Sequence, residues 1–66
     1  MKKIGKQLAK LRRDAGLSQS QLAEKIGVRP NSVARWERDE REPTVTVAAR
    51  IAEALGCRME ELIGAK

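Results

Sequence analysis

The sequence predicts an all-α fold, five short helices around one core. Three observations predict it. Apolar residues recur three and four positions apart along successive stretches. Glycine and proline divide the 66 residues into five pieces. The one alternating run, Thr44 to Val47, is four residues long and has no partner strand to pair with.

The first piece runs from Ile4 to Ala15. Ile4, Leu8, Leu11 and Ala15 share one helix face, and Gly16 suits the left-handed residue after a helix. The second starts at Ser18, where Ser18 and Gln21 have the spacing of a capping box. Leu22, Ala23 and Ile26 form its apolar stripe, and Gly27 ends it. The third runs from Pro30 to Arg38. Proline suits a first helical position, whose N–H has no partner in any case, whereas Arg29 is a poor N-cap. Val33, Trp36 and Glu37 lie on one face of this helix and Asn31, Arg35 and Arg38 on another. The segment DEREP, 39–43, reads as a polar loop. Thr44 then caps a fourth helix whose core positions are Val47 or Ala48, with Ile51, Ala52 and Leu55, closed by Gly56. A short fifth helix carries Met59, Leu62 and Ile63.

A chain this short is expected to be one domain, burying only about 60% of the surface its unfolded form exposes. Its single cysteine, Cys57, excludes an internal disulfide, and it has no histidine. Those two counts exclude a Cys/His zinc cage and histidine-dependent catalysis. No apolar run approaches the ~20 residues of a membrane span. The opening MKKIGKQLAKLRR has basic residues without an apolar h-region, so a signal peptide is not expected and a cytoplasmic, nucleoid-associated protein is.

The net charge of +5 is unevenly spread. Residues 1–38 hold ten Lys/Arg and three Asp/Glu, a balance of +7; residues 39–66 hold four and six, a balance of −2. That asymmetry points to one half facing a polyanion.

The stretch SQSQLAEKIGVRPNSVARWE, 18–37, holds the motif. Ala23 is small where a second helix crosses closely, and Gly27 permits positive φ in the turn. Leu22, Ile26, Val28, Val33 and Trp36 fill the angle between two helices set at roughly 90–120°. This is helix-turn-helix geometry.

At LSQSQLAEKIGV (17–28), SVARWE (32–37), Pro43 and IAEALG (51–56), the sequence resembles the phage-repressor and Cro-like helix-turn-helix domain, the XRE family. The resemblance implies a lambda-repressor-like five-helix domain over residues 1–66, with the motif at 18–38. It implies a transcriptional regulator, a repressor, that binds a palindromic double-stranded operator as a homodimer and needs no cofactor or metal. Helix 30–38 would enter the major groove. Pro30, Asn31 and Arg35 match positions that read bases, and Arg29 stands at the helix entry. Gln19 matches a phosphate-binding residue that also braces the recognition helix, while Arg38 and the 39–43 loop, with Arg41, sit where phosphate contacts are usual. Arg12 and Glu37 match a partly buried ion pair.

The residues themselves agree in part. Arg35 can bond guanine O6 and N7, Asn31 can bond adenine N6 and N7, and Ser32 can add a hydroxyl contact. The first turn of the second helix, beginning at Ser18, offers N–H groups to a phosphate. Lys3, Lys6, Lys10, Arg13 and Lys25 supply long-range attraction. The sequence also departs from the family. Pro30 stands where a polar residue is usual, Asp39 replaces a glycine, Glu40 and Glu42 are acidic beside expected phosphates, and Arg58 replaces a Ser or Asp cap.

Trp36, the only aromatic residue, falls on the Val33 face and reads as core. Arg12 and Glu37 flank the core faces of their helices, and two charges at a core edge favour pairing. Met59, Leu62 and Ile63 are read as a two-fold dimer interface. Cys57 reads as a small, partly buried apolar residue. A protein-binding module on the same fold, such as an antitoxin or a bridging cofactor, is the alternative to a DNA-binding regulator. An enzyme is not expected, because no residues suited to catalysis and no phosphate-cradling glycine loop are present.

Overall fold

The computed structural model describes residues 4–64. Their elements are α1 (Gly5–Asp14), α2 (Gln19–Ile26), α3 (Pro30–Glu37), α4 (Val45–Leu55) and α5 (Met59–Ile63). Among the described residues there is no strand. α2 packs on α3 and α4, α1 on α3 and α5, and α4 on α5.

The boundaries of α2, α3 and α4 have local causes. Ser18 Oγ accepts from the Gln21 N–H at 3.0 Å while Gln21 Oε1 accepts from the Ser18 N–H at 2.8 Å, a closed capping box for α2. Gly27 follows at φ +78°, a conformation that costs a residue without Cβ little. Pro30 is the first residue of α3, and Arg29 before it makes no side-chain cap. Thr44 Oγ1 accepts from the Val47 N–H at 3.2 Å, so the alternating Thr44–Val47 run opens a helix.

The core is built from every helix: Ile4 and Leu8, Leu22 and Ile26, Val33 and Trp36, Ala48 and Ile51, and Leu62. Ala48 is the residue turned fully inward at the start of α4, with Val47 half-buried beside it. Two expectations need correction. Ala15 lies outside α1 and is exposed, because the helix ends at Asp14. Leu62 is 0% exposed and packs in the core, so it has no surface to offer a second molecule. The short α5 closes the core between α1 and α4, and that position turns Leu62 inward. Met59 and Ile63 remain half-buried at the rim.

Candidate nucleic-acid interface

α3 is held from behind by a charged cluster at the edge of the core. Arg12 Nε donates to Glu37 Oε2 at 2.6 Å and Arg12 Nη2 to Glu37 Oε1 at 3.2 Å. This two-pronged geometry is the strongest form of the ion pair. The third guanidinium nitrogen, Nη1, donates to the Leu17 carbonyl at 2.8 Å. Gln19 Nε2 donates to Glu37 Oε1 at 3.0 Å. One carboxylate thus joins α1 and α2 to the end of α3, while Arg12 ties in the α1–α2 turn. The two charged side chains are only 12% and 8% exposed. Burial favours the protonated form of Glu37, but the hydrogen bonds from Arg12 and Gln19 outweigh it and hold the carboxyl below its ordinary value. The Arg12 guanidinium is correspondingly raised by its bond to Glu37.

On α3 and at its entry, Arg29, Pro30, Asn31 and Arg35 are exposed and Ser32 is half-buried, with Asn31 and Arg35 turned away from Glu37 by the helical period. Arg29, Asn31, Ser32 and Arg35 line one open depression of about 430 Å³, together with Arg41 and the start of α4. Trp36 forms part of its floor at 7% exposure and otherwise belongs to the core. Pro30, at the first turn, stands outside this lining. Four residues read from the sequence as base contacts and one read as a phosphate contact therefore meet on a single concave face.

The other sequence-derived phosphate contacts have partners within the chain. Ser18 Oγ serves the α2 cap, and Gln19 uses one amide hydrogen on Glu37, leaving the other. Arg38 Nε donates to Glu40 Oε2 at 2.7 Å. Lys6, Lys10, Arg13 and Lys25 are exposed, with Lys10 bonded to Asp14 at 3.0 Å; Lys3 lies outside the described residues. Cys57 is half-buried, and that burial pushes its thiol pKa up, as suits an apolar packing role.

Sequence reasoning missed what Asp39 does. The residue adopts φ +60°, and the chain around it closes α3 with two bonds, Asp39 N–H to the Trp36 carbonyl at 3.1 Å and Glu40 N–H to the Arg35 carbonyl at 2.9 Å. That is a Schellman closure, normally made by glycine. Asp tolerates this conformation better than most residues. Its carboxylate then accepts from the Gly5 N–H at 2.9 Å, capping α1, whose own N-cap residue Ile4 has no side-chain acceptor. The available signal was the acid in a glycine's place, together with Gly5 at the start of the first helix.

Comparison with known proteins agrees with this geometry. A helix-turn-helix family model matches residues 8–62. The cryptic phage CTXphi transcriptional repressor RstR of Vibrio cholerae is 36% identical over 94% of the chain and 55% of its own length. The restriction-modification controller protein C.AhdI of Aeromonas hydrophila superposes with a TM-score of 0.86, at 35% identity over 91% of each chain. The P22 c2 repressor, solved with a synthetic operator, shares the fold over 100% of both chains with a TM-score of 0.88 at 24% identity. The chain spans 42–80% of the lengths of curated relatives it matches. An all-helical domain with this motif, braced in this way, is a helix-turn-helix domain. The chain belongs to the helix-turn-helix family, as a DNA-binding domain of the phage-repressor and Cro type.

Proposed function

We propose that the chain binds a specific palindromic double-stranded operator as a two-fold dimer and represses transcription from it. α3 enters the major groove, Arg35 and Asn31 read base edges, and Arg29, Pro30 and Ser32 contact the bases beside them. Gln19, Ser18, Arg38 and Arg41 bind the flanking phosphates. The observation that carries this reading is the concave face on which Arg29, Asn31, Ser32 and Arg35 converge, opposite the Arg12–Glu37–Gln19 brace. A base-reading helix must be rigid, because discrimination depends on side chains arriving at fixed positions.

Met59 and Ile63 form the dimer contact in this reading. The molecule measures 29 × 23 × 20 Å, a size at which two abutting copies can present their α3 helices one DNA turn, ~34 Å, apart. No helix among the described residues is long and apolar enough to cross a membrane, and no acidic or thiol cluster there is arranged to hold a metal ion.

The test is selection of bound duplexes from a random pool, followed by affinity measurements on the selected and a scrambled duplex. A palindromic consensus bound ~10³-fold or more above scrambled DNA is expected. Weak binding with no consensus would sink the reading.

A further inference from the structure

The guanidinium at the end of α3 is closed onto an acid of its own chain. Arg38 Nε donates to Glu40 Oε2 at 2.7 Å and Arg38 Nη2 to Glu40 Oε1 at 3.3 Å. Backbone geometry puts Glu40 there, since its N–H closes α3 on the Arg35 carbonyl at 2.9 Å. The pair does nothing for the core: its side chains are 57% and 50% exposed. A carboxylate presented to the guanidinium edge offers the same two-oxygen pattern as a DNA phosphate. The bond to Arg38 lowers the Glu40 carboxyl from its ordinary value, and the charges of Arg38 and Arg35 add to that.

We propose that Glu40 is a specificity-determining residue that occupies Arg38 as an internal phosphate mimic, yielding it to DNA only at the operator. The proposal rests on the reading of α3 as the base-reading helix. Loose, phosphate-driven docking on arbitrary DNA has nothing to hold Arg38 against a phosphate in place of Glu40. Base contacts by Asn31 and Arg35 fix α3 in the groove and hold Arg38 beside the backbone, where a phosphate displaces an exposed and therefore weak ion pair. Arg38 then adds to affinity for the operator and not to affinity for other sequences.

Salt dependence counts phosphate contacts, because each one adds ~0.9 to the slope of log K against log salt. Wild type, Glu40→Gln, Arg38→Ala and the charge-matched control Glu53→Gln are titrated with selected and scrambled duplexes at several salt concentrations, after circular dichroism confirms helix content. Glu40→Gln is expected to steepen the slope on scrambled DNA by ~0.9 and leave the operator slope unchanged. The specificity ratio would then fall about 3.5-fold more at 50 mM than at 200 mM salt. Arg38→Ala is expected to flatten the operator slope by ~0.9 and leave scrambled DNA unaffected. Equal shifts from Glu40→Gln and Glu53→Gln, or an unchanged slope on scrambled DNA, would overturn the proposal. A wild type that discriminates normally while Glu40→Gln changes nothing removes Glu40 alone. A wild type with no preference removes the base-reading role of α3, and the proposal with it.

Discussion

The Gly5 N–H donates to the Asp39 carboxylate at 2.9 Å across 34 residues of sequence, so the end of α3 caps the start of α1. The approach is close: a Cβ on Gly5 would collide with the Glu37 carbonyl oxygen and crowd both Asp39 carboxylate oxygens. Gly5→Ala should therefore destabilise the domain by roughly 1–3 kcal/mol, as overpacking does. Asp39→Ala should cost about 1 kcal/mol for the lost cap, and more for the left-handed conformation. Asp39→Gly, which relieves that conformation, should cost less than Asp39→Ala. Urea unfolding of the three variants checks the order.

Glu37 is the point at which α1, through Arg12, and α2, through Gln19, meet α3. Its removal leaves Arg12 largely buried without a counter-charge, so Glu37→Ala should cost roughly 3 kcal/mol. In a domain of this size that lowers Tm by about 12–24 °C. Arg12→Lys should also destabilise, because an ammonium cannot make both bonds to Glu37 and the bond to Leu17 in the same geometry. A melting temperature unchanged by Glu37→Ala would remove the brace from the account.

The same carboxylate sets an acid limb of stability. Its folded pKa lies below its unfolded value. The contribution is therefore complete above the unfolded pKa and disappears as pH falls through the folded one. The stability difference between wild type and Glu37→Gln should shrink steadily as pH falls from about 5 toward 2. Denaturant midpoints measured across that range give the answer, and a constant difference would contradict the assignment.

On DNA, Arg35→Ala should relax one base position by about 1–3 kcal/mol and leave scrambled duplexes nearly untouched. Arg41→Ala should weaken all sequences alike and reduce the salt slope by ~0.9. Binding to a set of single-substitution operators separates these two signatures.

Leu62 and Met59 should part company when changed. Leu62→Ala opens a cavity in the core and should cost about 2–5 kcal/mol. Met59→Lys sits at the half-buried rim and should leave the fold standing while abolishing dimers on palindromic DNA. Sedimentation and melting curves of both variants distinguish a core residue from an interface residue; a wild type that stays monomeric on palindromic DNA ends the dimer proposal.

The helices and the helix-turn-helix were determined by the sequence alone, because their causes are local. Apolar spacing, the Ser18–Gln21 box, Gly27 in the turn and Pro30 at the start of α3 act within a few residues of themselves. The polar face of α3 was legible for the same reason: helical period alone places Asn31 and Arg35 together. What only the tertiary structure decided is which distant groups meet. The packing of α1 on α3 sets the Gly5–Asp39 cap, and that of α2 on α3 lets Gln19 share Glu37 with Arg12. The seat of α5 between α1 and α4 turned Leu62 inward, where spacing could not separate it from its rim neighbours. Such meetings depend on helix packing, which no local pattern encodes.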